Sequence, residues 1–339
     1  MTERNVSALV LAFGPEPYLH EAVEAVLASR GVAVEVVLVD NGCTTDAVST
    51  LPPDPRIRVV TPGDNLGFTG GVNLAARTAT APVLVLVNSD AVVEPGALLA
   101  LAQALDDPGT GLVSGLVTLG EAPSTVNSVG NPVHVLGLSW AGHMGEPATA
   151  HAAPTDIPSS TGALMAARAT TWADLGGFPD EFFAYLEDLE LSWRAWQRGL
   201  RVRYVPTARA VHHYEFSRTP LKMYLVERNR LLFLATCHSG RTLALLALPL
   251  LAFEVAITAV AAAQGWGRQK VAGWRWFLGH LGWVRRRRAA VQGARTVPDR
   301  ELAHLLSTRF DPAQFPLPPG GGLLQAALAR YWRVARRLL

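Results

Sequence analysis

The chain has 339 residues, 30 of them Lys or Arg and 28 Asp or Glu, giving a formal net charge of +2. That length suits one large domain or a domain with an appendage. Two cysteines, Cys43 and Cys237, are too few for a disulfide framework and show no metal-ligand spacing, so a reducing cytosol is the default compartment.

The small net charge conceals a split. Residues 1–220 hold 12 basic and 23 acidic side chains, net −11, whereas residues 221–339 hold 18 and 5, net +13. The first lysine is Lys222. A basic C-terminal third points to an appendage that faces a polyanion, either a membrane surface or nucleic acid.

The N-terminus enters a strand pattern at residues 7–12 with no charged region or cleavage site before it, so no signal peptide is expected. Residues 18–29 carry Leu19, Ala22, Val23, Val26 and Leu27 at helix spacing. Short apolar runs at 34–39, 56–60 and 83–87 read as further strands, and strands alternating with helices predict a parallel sheet covered on both faces. No Gly-x-Gly-x-x-Gly follows the first strand, which argues against dinucleotide binding. Residues 120–160 are rich in Gly, Pro, Ser and Thr and read as a loop-rich insertion with short strands. Its His134, His143 and His151 lack short metal-ligand spacing and read as surface histidines. A turn and helix over 173–198 and a strand over 201–205 lead to His212 and His213.

Beyond residue 219 the character changes. Residues 243–263 are almost wholly apolar and long enough to cross a bilayer, but Pro249 and Glu254 interrupt them. Trp266, Trp274, Trp276 and Trp283 follow, then Arg285 to Arg288, a composition typical of a membrane interface. Residues 311–322 read as a Pro/Gly linker. The end of the chain reads as a basic amphipathic helix carrying Leu324, Leu328, Tyr331, Ala335 and Leu338. The expected organisation is a catalytic-type α/β domain over 1–220, a helical membrane-associating region over 221–310, and a linker with basic helix over 311–339.

Three polar clusters stand out in order: Asp40-Asn41-Gly42 after a strand, Asn88-Ser89-Asp90 after the most apolar strand, and Glu187-Asp188-Leu189-Glu190-Leu191. In open α/β sheets, ligands bind at the carboxyl ends of the strands. Carboxylates there suit a divalent cation, and the cation suits a diphosphate. Asn65-Leu66-Gly67-Phe68 with Gly71 and Asn73 adds a loop where the backbone can approach a ligand closely. Taken one at a time, these clusters also read as a turn aspartate, a helix-start loop and an acidic first helical turn.

Together, and with Gly176-Gly177-Phe178, Phe182-Phe183, Arg194 and Tyr204-Val205-Pro206 to His212, they make the first 220 residues resemble glycosyltransferase family 2. These are inverting enzymes of the GT-A fold, a Rossmann-like mixed sheet flanked by helices. The likeness is strongest to bacterial rhamnosyltransferase-type members of cell-wall assembly. The resemblance implies that Asp40 and Asn41 receive the base, and that Asn65, Gly67, Gly71 and Asn73 run beside the nucleotide together with Asn88 and Ser89. It implies that Asp90 and His212 hold Mn²⁺ or Mg²⁺, His213 remaining an alternative to His212, with Asn88 standing where the family has its first DXD aspartate. It makes Asp188 the general base and Glu187 its support, with Arg194 pairing with these acids.

The resulting expectation is transfer of a sugar from a nucleotide-diphosphate sugar, dTDP-rhamnose before a UDP-sugar, to a lipid-linked or glycan acceptor. The place expected is the cytoplasmic face of the membrane, held peripherally on anionic lipid. The tail's tryptophans and apolar run favour lipid over nucleic acid. A homo-oligomer stays open. The competing reading is a catalytically silent sugar-nucleotide-binding or scaffold protein.

Overall fold

The computed structural model describes residues 3–213, 219–311, 314 and 321–339. Its chain begins with β1 (Arg4–Gly14), α1 (Leu19–Leu27), β2 (Val32–Cys43), β3 (Ile57–Val60), α2 (Gly67–Thr78), β4 (Val83–Val87), β5 (Ala91–Val93) and α3 (Ala97–Ala104). It continues with β6 (Thr110–Leu119), β7 (Ala122–Ser128), β8 (Val133–His134), β9 (Thr155–Asp156), β10 (Leu164–Arg168), α4 (Ala169–Leu175), α5 (Glu187–Gln197) and β11 (Arg201–His212). Helices follow: α6 (Pro220–Cys237), α7 (Gly240–Ala263), α8 (Gly267–Gly279), α9 (Leu281–Gly293) and α10 (Asp299–Leu302), then β12 (Leu306–Ser307) and α11 (Gly321–Ala335).

The described residues divide into two compact units. Unit 1 comprises Met1–Asn131, Ala141–Ala195 and Leu200–Phe216, and unit 2 comprises Pro132–Trp140, Trp196–Gly199 and Ser217–Leu339. The expected cut at 220 therefore falls close to the second unit's main segment, but two short pieces of the first 220 residues belong to unit 2. The expected separate segment over 311–339 also falls in unit 2. Most of the 311–322 linker lies outside the described residues, and Gly321 and Gly322 already belong to α11.

Unit 1 is built on one sheet in the order β3-β2-β1-β4-β10-β6-β11-β5, with β7 on β6 and β9 on β11. All five residues of β4 are buried, as expected for a strand covered on both faces. The parallel expectation holds for β3, β2, β1 and β4. It fails at β10, which runs antiparallel to both β4 and β6. Reversing direction twice leaves β6 and its parallel neighbour β11 pointing the same way as β4. The carboxyl ends of β1, β2, β4, β6 and β11 therefore share one edge. The strand expected over 201–205 runs on to His212, which is a strand-end residue paired with Leu119 and Ala91.

Helix packing accounts for one of the candidate glycines. A Cβ on Gly71 would lie 2.3 Å from Leu11 Cδ1, so α2 rests on β1 with no room for a side chain.

In unit 2, α7 contains Pro249 within it, and its Glu254 is paired. Arg230 on α6 bonds one Glu254 oxygen, and Lys270 Nζ lies 2.7 Å from the other. Lys270 and Arg230 also reach Glu227 at 2.5 and 2.6 Å, and Trp274 Nε1 donates to Glu254 at 3.2 Å. Burial pushes Glu254 upward, but the two cations more than offset this and hold it below the ordinary carboxylate range. His134 corrects the reading of surface histidines: it is fully buried beside Trp140 and Phe310, and burial lowers it to about 4.

Substituting Gly71 with Ala should lower unfolding stability by about 1–3 kcal/mol through overpacking. Leu11→Ala added to that variant should recover part of the loss. Urea denaturation of the three proteins measures both effects, and equal stability of Gly71→Ala and the parent would contradict the packing argument.

Candidate functional site

The shared edge of the sheet collects side chains from distant parts of unit 1. Asn88, Ser89 and Asp90 leave the end of β4, and Asn88 N–H donates to Ala163 O at 3.1 Å. Because β10 is antiparallel, the residues just before it arrive at this same edge, with Leu164 opposite Val87. His212 arrives from the end of β11. Its Nε2 lies 3.0 Å from Asp90 Oδ1, and Asn88 Nδ2 lies 3.4 Å from that same nitrogen. The other ring nitrogen, Nδ1, lies 2.9 Å from Asn127 Oδ1 on β7, which fixes the ring's orientation. Asn88 Oδ1 is buried and has no hydrogen-bond partner among the described residues.

Asp90 Oδ1 and His212 Nε2 thus meet, with the Asn88 side-chain amide beside them, in one cluster of ligand-type residues. His213 does not join it by its ring, which stacks on Tyr18 at 3.8 Å; its backbone N–H donates to Asp90 O. Ser89 Oγ donates to Glu16 at 3.1 Å, and the same Glu16 oxygen accepts the Phe13 N–H. Burial raises Glu16 above the ordinary carboxylate range.

The second cluster lies at the start of α5. Asp188 Oδ2 accepts from Asn131 Nδ2 at 3.0 Å and from Gly162 N–H at 3.2 Å, while Oδ1 accepts from Leu189 N–H at 2.7 Å. Burial still pushes Asp188 upward, because these donors offset only part of the desolvation. Glu187 is buried, and its Oε2 has no partner among the described residues. Burial first, and then the neighbouring Asp188 charge, push Glu187 up. Two adjacent carboxyls with unequal support favour a protonated Glu187 beside an ionised Asp188. Phe183, Tyr185 and Leu186 approach this helix start with φ of 62°, 71° and 64°. Such strain in non-glycine residues is held only where surrounding structure enforces it, and it concentrates at functional sites.

Residues 162 and 163 connect the two clusters. Gly162 N–H serves Asp188, and Ala163 O receives the Asn88 N–H.

Other candidate residues have structural partners. Asp40 Oδ1 accepts from the N–H of Cys43 at 2.9 Å and of Gly42 at 3.3 Å, the turn role. Buried Asn41 donates to Asn65 Oδ1 at 2.9 Å and to Gly67 O at 3.2 Å, and accepts the Leu66 N–H. Asn65 also accepts the Gly67 N–H at 2.8 Å. Gly67 has φ of 67°, and a Cβ there would meet Phe183 at 2.5 Å. These residues therefore hold the loop entering α2 against the strained segment before α5. Asn73 bonds Phe178 through both amide atoms and Asp180 through Nδ2, so it ties α2 to the 178–180 turn.

The ion pair recorded for Arg194 is with Glu190 of the same acidic cluster. Buried on α5, Arg194 meets Glu190 one turn back at 2.7 Å and donates to Leu175 O and Gly177 O. The i,i+4 partner was within reach on the same helix face, and the arginine's remaining donors close the preceding turn.

Glu16, Asn127, Asn131 and Gly162 were missed. Glu16 follows the first strand in Gly-Pro-Glu-Pro, which marks a strand-end turn. The others carry no sequence pattern of their own; tertiary pairing alone brings them here.

A family model described as "Glycosyltransferase like family 2" matches residues 4–233. An N-acetylglucosaminyl-diphospho-decaprenol L-rhamnosyltransferase of Mycobacterium tuberculosis is 26% identical over 261 residues, covering 68% of this chain and 84% of that protein. The structure of GalNAc-T7 with UDP, GalNAc and Mn2+ matches with a TM-score of 0.54 and 16% identity, over 68% of this chain and 48% of that one. Mannosyltransferase PcManGT of Pyrobaculum calidifontis, in complex with GDP-Man and Mn2+, matches with a TM-score of 0.51 and 17% identity, over 99% of this chain and 87% of that one. At these identities the structural likeness is one of fold, and the fold is the expected GT-A type.

Removing the Asn131 side chain takes one donor from the charged form of Asp188. In Asn131→Ala the Asp188 carboxyl should titrate about one pKa unit higher, the equivalent of one lost hydrogen bond to a charged group. Carboxyl-carbon NMR of the two proteins reads the shift, and an unchanged or lowered titration would remove Asn131 from this role.

Proposed function

This chain belongs to glycosyltransferase-like family 2 and is a nucleotide-sugar-dependent glycosyltransferase, and on that premise we propose that it transfers rhamnose from dTDP-rhamnose, with inversion, to a hydroxyl of a lipid-linked acceptor. The observation that carries this reading is the linked pair of clusters: an Asp188 carboxylate supported by three donors, joined through residues 162 and 163 to Asn88, Asp90 and His212. Choice of the rhamnose donor and the lipid-linked acceptor rests on the mycobacterial relative, whose name states both the sugar and the diphospho-decaprenol carrier. UDP-sugars are the next donor class.

In the proposed reaction Asp188 accepts the proton of the acceptor hydroxyl as that oxygen attacks C1 from the side opposite the diphosphate. Its three donors aim the carboxylate. Protonated Glu187 leaves Asp188 as the charged member of this adjacent pair of acids. Asn131, Gly162 and Leu189 favour the ionised form, and burial keeps it basic enough to take a proton near neutral pH.

Asp90, His212 and Asn88 are the residues proposed to hold a divalent cation, and the unsatisfied buried Asn88 Oδ1 fits that assignment. A bound Mn²⁺ or Mg²⁺ would supply Lewis-acid assistance to the leaving diphosphate. The imidazole favours Mn²⁺. Asn127 holds the imidazole by Nδ1 and leaves Nε2 directed at Asp90. The Asp40 turn and the Asn41–Asn65–Gly67 loop are assigned to the nucleotide, as the walls of its binding region.

Unit 2 is proposed to rest on the cytoplasmic surface of an anionic membrane. Among the described residues one helix, Gly240–Ala263, is long and apolar enough to cross a bilayer, with mean hydropathy 2.3. Leu248, Leu251 and Val255 are exposed along one face of it, and Leu323, Leu324 and Val334 are exposed on α11. Arg285, Arg286, Arg330, Arg333, Arg336 and Arg337 are exposed within the same unit. Glu254 is tied inside unit 2 by Arg230 and Lys270, which supports peripheral contact over spanning.

Purified protein given dTDP-rhamnose, UDP-sugars and a synthetic lipid-diphosphate-sugar acceptor should form a rhamnosylated product, detected by mass spectrometry. Asp188→Asn should reduce turnover by about 10²–10⁴-fold while donor binding survives, and EDTA should weaken donor binding by the parent but not by Asp90→Ala. Near-normal turnover in Asp188→Asn would move the base to another acid, and indifference of the parent to EDTA would remove the cation.

Full-length protein should float with anionic but not neutral liposomes, and salt should release it, since surface charge pairs are screened. No preference for anionic lipid would sink the electrostatic part, and resistance to both salt and carbonate would show a spanning helix.

A further inference from the structure

A second polar cluster in unit 1 takes no part in the proposed reaction. Residues 142–147 run back along β7 and the residues after it: Val126 N–H donates to Glu146 O at 2.8 Å and Gly145 N–H to Val126 O at 2.9 Å. Val129 N–H donates to Gly142 O at 3.1 Å and Gly142 N–H to Gly130 O at 3.0 Å. The turn of this ribbon places His143 at φ 60°. A short 3₁₀ turn, Ala148–His151, then brings the chain back, and Tyr204 OH anchors it by donating to His151 O at 2.9 Å.

The outcome is one carboxylate between two imidazoles. His143 Nδ1 lies 3.2 Å from Glu146 Oε1, and His151 Nε2 lies 2.8 Å from Glu146 Oε2. The rings are 4.4 Å apart, and the three ligand atoms all lie within 4.8 Å of one another. Zinc bonds to His nitrogen and carboxylate oxygen at about 2.0–2.2 Å, which sets tetrahedral ligand atoms roughly 3.4 Å apart. The two His–Glu separations, to Oε1 and Oε2 respectively, are each near that edge length, and a single-oxygen Glu146 ligand is reached by turning its exposed carboxylate and the half-exposed His143 side chain.

We propose that His143, Glu146 and His151 form a zinc site, with the remaining coordination position open to water, that closes the 142–151 segment on itself. Two imidazoles with one carboxylate are a borderline donor set that favours Zn²⁺ over Mg²⁺ or Mn²⁺. The site shares no residue with the Asn88, Asp90 and His212 cluster. Gly142 N–H bonds Gly130 O, next to Asn131 whose Nδ2 reaches Asp188, so the closed segment abuts the stretch of chain that carries that donor.

Tag-free, chelator-treated full-length protein should be dialysed against Zn²⁺ and its metal content measured. The Asp90→Ala background removes the competing cluster. In that background one equivalent of zinc should remain bound, Co²⁺ should give the visible absorption of a tetrahedral ion, and zinc should raise Tm. Adding Glu146→Gln or His151→Ala should weaken binding by at least about tenfold, since loss of a mere outer partner of a ligand already costs 10–100-fold. Glu146→Gln keeps the shape and the hydrogen-bonding capacity of the side chain, so an unchanged Tm in EDTA shows that folding is intact. Equal zinc content and affinity in Asp90→Ala with and without these substitutions would overturn the proposal. Absence of bound zinc in Asp90→Ala at tens of micromolar free metal would overturn it as well.

Discussion

An antiparallel strand placed between two strands of common direction brings its own first residues to the edge where its neighbours end. Leu164–Arg168 does this between Val83–Val87 and Thr110–Leu119. Without that reversal, residues 162 and 163 would lie at the opposite edge, away from Asn88. With it, one dipeptide serves both clusters: Gly162 N–H supports Asp188 and Ala163 O receives the Asn88 N–H. The same double reversal restores the direction of Arg201–His212, so His212 ends beside Asp90. The geometry of the site is thus a consequence of strand direction more than of any single side chain.

Desolvation then separates neighbouring acids by their partners. Glu190 and Arg194 form a buried pair whose arginine also binds two carbonyls, so both charges are supported. Glu187, also buried, lacks such support at Oε2 and is driven toward its neutral form. Asp188 sits between these extremes, raised by burial but served by three donors. Four consecutive residues therefore carry three acids with three different environments. The positive φ values of Phe183, Tyr185 and Leu186 show that the backbone, too, is bent into place there at a cost of about 1–3 kcal/mol each.

Unit 2 handles the same problem differently. Its buried Glu227, Arg230 and Lys270, with the partly buried Glu254, form a balanced set of two acids and two cations. Breaking such a set leaves an unpaired buried charge, which costs about 3–5 kcal/mol. That set holds α6, α7 and α8 together from within, so the exposed leucines and valines of α7 are left to face outward.

Local pattern was enough to read the alternation of strands and helices, the deeply buried β4, the apolar α7 and the basic α11, because side-chain period depends only on neighbours in sequence. The ordered motifs were enough to read the family, and Asp90, His212, Glu187 and Asp188, which they single out, sit at strand or helix ends whose position follows from topology. The partners of each polar group were beyond the sequence. Arg194 chose Glu190, Asn73 chose the 178–180 turn, and Asp188 found Asn131, which lies 57 positions away in the chain. His134, His143 and His151 look alike in sequence, yet one is buried among aromatics and two meet at Glu146. Hydrogen bonds and ion pairs act over about 3 Å, so only the packed chain, with β10 reversed and the 142–151 ribbon folded back, could decide which groups came within that distance.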